Sequence, residues 1–406
     1  MQLNRRLFLA AAGTALASPY VSRSWAADDE IVIGSIFDGT GIFQPLGRPK
    51  ANILKMAIDE TNAGGGLLGK QVRLVHYDTQ SSNQLYAQYA QSLIRTDKVD
   101  FVFGGVTSAS REVIRPIFKR SGTPYFYNMA YEGGLCDGGT YITGITTPQI
   151  LESLMPYLVK TFGKKAYIIG PDYNFGQISE QWIRQYARDN GCEVVGSELF
   201  PLDASNFTAS LSKIQAAAPD FVIDSLVTPP QFSFYNQWAT AGMKSRIGLA
   251  SQTLGSFGQN LIMPPEVLEG VVVGIDYVQE LDNPLNTALV KKYQETFGTG
   301  DYLGNLVEAD YDGWLFFKAA VEKADTKDKA DVVAALASGL ELATPRGHVK
   351  LDPATHHCVM DVRVMDIRNA AYRVIETTSA VPPADLVGRC DLIAAPASNV
   401  QLGPKA

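Results

Sequence analysis

The segment GGVTSAS, residues 104–110, places Thr107, Ser108 and Ser110 between an apolar run and a helical pattern. Glycines, hydroxyls and the free N–H groups of a helix start all direct donors at an oxygen, which suits a carboxylate, a phosphate or a carbonyl group. The alternative is a helix cap, because Thr or Ser before a helix accepts hydrogen bonds from its first N–H groups. Both roles are compatible, since one hydroxyl can cap while its neighbour binds.

Covalent chemistry at Ser108 is not favoured by its surroundings. The nucleophile pattern G-x-S-x-G is missing, since Ser110 stands where the second glycine would be. The loops that follow the apolar runs contain no histidine to serve as a base. The Gly-Lys-Ser/Thr signature of a phosphate loop is missing as well. We therefore expect a binding protein and not an enzyme, with no cofactor.

Further polar and aromatic side chains follow other apolar runs. Tyr131 and Glu132 lie in MAYEGG (129–134), Tyr173 lies in PDYNFGQ (171–177), and Thr228 lies in VTPPQF. In an open parallel sheet, ligands bind beyond the carboxyl ends of the strands, where such loops meet. Tyrosine rings with polar tips suit the wall of a small pocket. Glu132 has no partner at metal-ligand spacing, so we expect no metal site.

The elements that position these loops form two series. Short apolar runs alternate with helical patterns from residue 31, and the predicted strands include IVIGSIF, QVRLVHY, VDFVFGG and PYFYN. A second series begins after about residue 148 with AYIIG, EVVGSEL and DFVIDSL. This alternation predicts parallel sheets with right-handed crossovers. Since 406 residues exceed the size of one hydrophobic core, we expect two α/β domains that face each other.

The last third of the chain is less regular. The aromatic helical pattern over 306–324 indicates a core helix, and strands are predicted near 348–351 and 359–367. The turn-like DPATHH stretch suggests that His356 and His357 are exposed. Four cysteines without C-x-x-C spacing allow three disulfide connectivities, and Cys358 with Cys390 is the first expectation because both lie in the final segment. The proline-rich end is expected to be a loose tail.

The first 27 residues have the pattern of a secretory leader. Arg5 and Arg6 precede a short apolar and small-residue stretch that ends in Ser24-Trp25-Ala26. NRRLFLA is similar to twin-arginine leaders, with an ordinary secretory leader as the alternative. The stretch is too short and too poor in large apolar residues for a membrane span. Removing residues 1–26 takes away three arginines and no acid, which moves the formal charge from −7 to −10 and disfavours nucleic-acid binding.

Longer segments resemble one known family. IVIGSIFDGTG, AIDETNAGGGLLGKQVRLVHYDTQSS and KKAYIIGPDYNFG resemble the type I periplasmic solute-binding proteins of ABC importers. GGVTSASREVIRP, YNMAYEGGLC and ATPRGHVKLDPATHHCVMDVRV are similar to segments of the urea and short-chain amide branch. The resemblance implies two doubly wound parallel-sheet lobes joined by a multi-strand hinge. It also implies a periplasmic protein that closes around a small molecule and docks on the permease subunits of a transporter.

The resemblance also implies domain bounds and a binding site. Lobe 1 would comprise residues 28–147 and about 277–345, lobe 2 residues 148–276 and about 346–395, with a loose tail over 396–406. Ser108 would contact the ligand through its hydroxyl and backbone N–H, the Met129 and Tyr131 loop would form one wall, and Tyr173 would close from lobe 2. The full set of expected ligand-binding residues is Thr107, Ser108, Ser110, Met129, Ala130, Tyr131, Glu132, Tyr173 and Thr228.

The charge of the ligand separates the branches of this family. A binder of amino acids must neutralise a buried ammonium group, which is costly when it has no partner. VTPPQF offers no acid, and Glu132 is the main remaining candidate. This favours a neutral ligand, urea or a short-chain amide. A branched-chain or other amino acid is the alternative ligand, and a sensing receptor without transport is the alternative function.

Overall fold

The computed structural model describes residues 30–227 and 229–404, so the expected leader over 1–27 and Thr228 lie outside the described residues. The strands are β1 (Ile31–Phe37), β2 (Val72–Asp78), β3 (Phe101–Gly104), β4 (Tyr125–Phe126), β5 (Leu135–Asp137), β6 (Thr140–Tyr141), β7 (Lys165–Pro171), β8 (Glu193–Phe200), β9 (Phe221–Asp224), β10 (Gly248–Ser251), β11 (Val272–Ile275), β12 (Glu341–Thr344), β13 (Gly347–Leu351), β14 (Cys358–Arg368), β15 (Ala371–Val381) and β16 (Asn399–Gln401). The helices are α1 (Gln44–Ala63), α2 (Asn83–Arg95), α3 (Ser108–Ser121), α4 (Thr147–Thr161), α5 (Asn174–Asp189), α6 (Thr208–Ala217), α7 (Pro230–Thr240), α8 (Gln259–Ile262), α9 (Pro265–Leu268), α10 (Pro284–Phe297), α11 (Asn305–Ala324) and α12 (Lys329–Leu336).

Two large sheets organise most of these elements. The first has the order β2-β1-β3-β4-β6, and its neighbouring strands are parallel. In the second, β8-β7-β9-β10-β11 are parallel, and β14, β13 and β12 continue the sheet in antiparallel fashion, with β15 also paired to β14. The predicted pair of parallel-sheet lobes is confirmed. The antiparallel strands near 348–351 and 359–367 are confirmed as β13 and β14.

The cores follow from the sequence pattern. All seven residues of β1 are buried, as expected for a parallel strand that is covered by helices on both faces. The aromatic side chains of α11 pack on the first sheet, where Phe317 lies 4.7 Å from Phe101 and Trp314 lies 6.3 Å from Phe103 between ring centroids. The prediction of a core helix over 306–324 is therefore confirmed.

Between residues 30 and 404, the chain passes from one sheet to the other near residues 142–146, 276–283 and 337–340. The guanidinium of Arg346 ties these passages together. It donates to the backbone oxygen of Thr143 at 3.0 Å and pairs with Asp276 at 2.6 Å. It also pairs with Glu308 and, at 2.9 Å, with Asp312, both from α11. All four charged side chains are buried, which makes this cluster a fixed junction between the sheets.

Two expectations about cysteine and histidine side chains are wrong. The expected pair Cys358–Cys390 is wrong, because Cys390 forms a disulfide with Cys136, while Cys358 is a buried free thiol. The expected exposure of His356 and His357 is also wrong, because they are 5% and 2% exposed. The Ile142 N–H donates to the backbone oxygen of His356, which fixes the turn against the first passage between the sheets.

The C-terminal segment is more ordered than a loose tail. Within the range 396–406, residues 399–401 form β16, which pairs with β5 in a two-stranded antiparallel sheet. Across residues 30–227 and 229–404, no helix has both the length and the hydropathy needed to cross a bilayer.

Candidate functional site

A cavity lies where the strand-end loops of the two sheets meet, with about 610 Å³ of space free of protein atoms, part of it open to solvent. Its described lining comprises Phe43, Leu46, Val106, Thr107, Ser108, Tyr127, Met129, Ala130, Tyr131, Ile145, Thr147, Ile150, Tyr173, Phe175, Val227, Gln252, Thr253, Ser256, Phe257 and Leu306. The loops after β3 and β4 supply one side, and the loops after β7, β9 and β10 supply the other. Both sheets therefore contribute walls, as a closing cleft requires.

Six of the expected ligand-binding residues line this cavity: Thr107, Ser108, Met129, Ala130, Tyr131 and Tyr173. Two others, Ser110 and Glu132, are buried behind the lining and support it. Thr228 lies outside the described residues, although its neighbour Val227 reaches the cavity. Ser110 and Glu132 thus lie next to the cavity, but their side chains do not line it.

The hydroxyls that cap α3 are those of Thr107 and Ser110. Thr107 is the N-cap and accepts from the Ser110 N–H at 3.0 Å, while the Ser110 hydroxyl accepts from the Thr107 N–H at 3.0 Å. This reciprocal capping box occupies the two outer hydroxyls. Ser108 has no part in it.

The Ser108 hydroxyl instead donates to Glu132 Oε2 at 2.5 Å. The other oxygen of that carboxylate, Oε1, pairs with Arg111 at 2.6 Å, and both charged side chains are almost fully buried. A buried ion pair is tolerated when further hydrogen bonds satisfy its atoms, and Ser108 supplies one of them. Because the single hydroxyl proton of Ser108 points at Glu132, its oxygen can only accept toward the cavity.

Donors are available beside this acceptor. The first turn of a helix has N–H groups without intrahelical partners, and here the capping box uses those of Thr107 and Ser110. In the described part of the chain, the N–H groups of Ser108 and Ala109 donate to no protein acceptor. The positive end of α3 therefore offers two donors next to one hydroxyl acceptor.

Tyrosines frame the polar end of the cavity. Tyr131 is held from behind, since its hydroxyl lies 2.6 Å from His357 Nε2 and accepts from the Leu135 N–H at 3.2 Å. The opposite ring nitrogen of His357 lies 2.7 Å from the Thr355 oxygen, which makes Nε2 the acceptor of the Tyr131 proton. The guanidinium of Arg111 lies over the rings of Tyr127 and Tyr131, at 5.1 and 4.8 Å.

Tyr173 approaches the same place from the second sheet. It is the N-cap residue of α5 and packs on Phe175, with ring centroids 6.0 Å apart. Burial and its neighbours Tyr127 and Glu132 raise the pKa of its hydroxyl, so the group is neutral. Tyr127 lies beside Ser108, and burial raises its pKa as well.

The remainder of the described lining is mostly apolar, and none of it carries a formal charge. Sequence reasoning missed the second-sheet residues Gln252 and Thr253, although they follow β10 directly and the strand-end rule could have found them. It also missed Tyr127, which follows β4. Leu306 and Ile150 reach the cavity from helices, and no local sequence signal distinguishes them from core residues.

Comparison with known proteins agrees with this fold. Residues 30–371 match the model of the periplasmic binding protein family. Leu/Ile/Val-binding protein homolog 6 of Brucella abortus (strain 2308) is 25% identical over 365 residues, which cover 88% of this chain and 92% of that protein.

Two solved structures share the fold. A solute-binding protein of an ABC transporter from Rhodopseudomonas palustris HaA2, in complex with p-hydroxybenzoic acid, has a TM-score of 0.81 at 22% identity and covers 89% of this chain and all of that one. An amino acid ABC transporter substrate-binding protein from Pseudomonas fluorescens Pf-5 has a TM-score of 0.80 at 22% identity and covers 90% and 100%. With its paired sheets, its cavity between them and the match over residues 30–371, this chain belongs to the periplasmic binding protein family and has the type I fold.

Proposed function

We propose that the protein is the periplasmic solute-binding component of an ABC importer. It captures a small amide by closure of the two lobes and delivers it to a membrane permease. A ligand that touches both walls stabilises the closed form, because only that form makes all of its contacts.

One observation carries the choice of ligand. The Ser108 hydroxyl donates its hydrogen bond to Glu132, so it offers the ligand only an acceptor. This acceptor lies next to the free N–H groups of Ser108 and Ala109. A primary amide presents a carbonyl oxygen and an N–H₂ group side by side, which match these donors and this acceptor. A carboxylate would place its second oxygen against the lone pairs of Ser108, a contact without a proton.

The rest of the cavity indicates the body of the ligand. Apolar side chains such as Phe43, Phe175 and Phe257 would cover a hydrocarbon group, and each buried methylene adds about 0.8 kcal/mol to binding. Urea and formamide have no such group. A short branched or cyclic aliphatic amide therefore fits better than urea.

Titration calorimetry of the mature protein with matched ligands tests the proposal. Isobutyramide and isobutyrate share one body and differ only in the head group. We expect isobutyramide to bind at least about tenfold more tightly, the value of one well-placed hydrogen bond, with acetamide weaker and urea weakest. Tighter binding of isobutyrate would contradict the amide assignment.

A branched-chain amino acid is the second candidate, because the Brucella relative is named as a Leu/Ile/Val-binding protein. Its ammonium group could reach the Ser108 oxygen, but the Glu132 carboxylate behind it already pairs with Arg111. Leucine included in the same titration decides between them. Binding of leucine alone would favour the amino acid and leave the solute-binding role intact.

A further inference from the structure

Residues 129–134, here called the ligand loop, carry the cavity wall but little secondary structure of their own. The loop includes the lining residues Met129, Ala130 and Tyr131 and the buried Glu132. Its own regular pairing is a single bridge between Tyr131 and Thr146. Contacts from elsewhere must therefore fix the positions of its side chains.

Residues 382–402, here called the C-terminal strap, supply such contacts. The Asp385 carboxylate accepts from the Gly134 N–H, and Gln401 Nε2 donates to the Gly133 oxygen at 2.5 Å. The Leu402 N–H donates to the Gly134 oxygen at 2.7 Å. The strap thus hydrogen-bonds to both N–H and C=O groups of the backbone at the end of the ligand loop.

A disulfide fixes the chain covalently just after the ligand loop. Cys136, in β5, forms the disulfide with Cys390 of the strap, and β16 pairs with β5. Leu386 and Leu392 pack with the two cysteines in a small separate core. The contact is close, since a Cβ on Gly134 would lie 1.9 Å from the Leu402 oxygen. The φ of +85° at this position also favours glycine.

A chain of ion pairs on α3 joins the strap to the cavity a second time. Lys119 and Arg115 contact Asp137 of β5 at 2.8 Å each, and Arg115 also donates to Asn399 of the strap. Arg115 continues to Glu112 at 2.6 Å, which in turn meets Arg111 at 2.9 Å. Arg111 then holds Glu132, the acceptor of the Ser108 proton.

We propose that the C-terminal strap is a positioning element of the binding site. By fixing Gly133 and Gly134, it holds Tyr131 in the cavity wall and Glu132 against Ser108, and thereby sets the affinity for the ligand. Asp385 is the central positioning residue, because its carboxylate is fully buried and holds the loop backbone directly. This inference rests on the proposed site but is tested partly without any ligand.

The test compares Asp385→Ala with Asp385→Asn in the full mature chain. Alanine removes the acceptor for the Gly134 N–H, whereas the asparagine side-chain oxygen keeps it. Hydrogen–deuterium exchange without ligand should become about tenfold faster over residues 129–137 in Asp385→Ala, with no such change in β7. Asp385→Asn should restore the wild-type rate.

Affinity for isobutyramide should fall about tenfold in Asp385→Ala and return in Asp385→Asn. Ile169→Val, in the core of the second sheet, is the matched control, because it lowers the melting temperature without touching the strap. Gln401→Ala gives a second variant at an exposed position, so the inference remains testable if Asp385→Ala does not fold.

Unchanged exchange over 129–137 in both Asp385→Ala and Gln401→Ala would overturn the inference, whatever the ligand is. The exchange could also become faster in the two variants while the wild-type protein binds none of the probes. That result would support the role of the strap and count against the proposed ligand class. Faster exchange with unchanged affinity for isobutyramide would show that the strap only stabilises the fold, which also overturns the inference.

Discussion

The hydroxyl of Ser108 and the carboxylate of Glu132 lie 2.5 Å apart, with Ser108 as donor. This contact changes what Ser108 can offer to a ligand. The sequence suggests that its hydroxyl holds a ligand oxygen, but the proton is already committed to Glu132. The donors for an oxygen are instead the backbone N–H groups at the start of α3, and the hydroxyl accepts.

Ser108→Ala should weaken the binding of isobutyramide by about 1–3 kcal/mol, because it removes a buried acceptor. It should also lower the melting temperature of the ligand-free protein, since Glu132 Oε2 loses its partner. Calorimetry and thermal unfolding measure the two effects. Ser212→Ala, at an exposed site on α6, is the control and should change neither. Retained affinity in Ser108→Ala would place the ligand elsewhere in the cavity.

Tyr173→Phe and Tyr173→Ala test the wall from the second sheet. The half-buried ring should contribute to the closed form and little to the unliganded one. We expect Tyr173→Ala to weaken binding by about 1–3 kcal/mol through lost apolar contact, with a smaller loss in Tyr173→Phe. Melting temperatures without ligand should stay near wild type. Equal affinities in all three proteins would argue against closure over this residue.

His357 should make the fold sensitive to acid. Burial lowers its pKa to about 3, against 6.5 for the unperturbed group. The unfolded chain therefore binds more protons between these values, and the free energy of unfolding falls as the pH drops below 6.5, by up to about 1.4 kcal/mol per pH unit from this residue.

Denaturant unfolding of His357→Gln between pH 7 and 4 checks that slope. The variant should be less stable at pH 7 but lose less stability on acidification than the wild type. The comparison of variant with wild type is needed, because burial raises the pKa of Asp224 and Asp385 to about 6 and gives those groups the opposite slope. His348→Gln is the control, since that side chain is 65% exposed. Parallel curves for wild type and His357→Gln would refute the assignment.

Arg346→Met should destabilise the junction between the sheets by about 3–5 kcal/mol at pH 8, because Asp276, Glu308 and Asp312 lose their counter-charge in a buried site. Burial raises the pKa of Glu308 and Asp312. Their protonation relieves the repulsion, so the variant should recover part of the difference from wild type at pH 5. Arg368→Met, whose side chain is 49% exposed, should cost far less in the same unfolding experiment. A deficit that grows toward pH 5 would contradict this account.

The strand-end rule located most of the candidate site because apolar runs and helix starts are local signals. Thr107, Ser108, Tyr131 and Tyr173 follow such runs and do line the cavity. Ser110 and Glu132 also follow them, yet their side chains turn to the capping box and to Arg111. Which way a loop side chain turns depends on partners that the local sequence does not reveal.

The disulfide and the burial of the histidines could not be predicted from the sequence for a different reason. Cys136 and Cys390 meet only because the strap returns across the ligand loop, a tertiary contact between distant segments. His356 and His357 lie in a turn by composition, but that turn is covered by residue 142 and by Tyr131. Turn residues predict local geometry and carry no information about what packs on it.

The disulfide also constrains the order in which the protein matures. Cys136 and Cys390 are 254 residues apart, so every strand of the second sheet lies inside the ring that the bond closes. During synthesis Cys192 and Cys358 become available to Cys136 before Cys390 does. Both end up buried, and burial raises the pKa of the Cys192 thiol to about 11, which suppresses the reactive thiolate. Folding of the second sheet therefore favours the correct pairing, because it buries the two thiols that compete with Cys390 for Cys136.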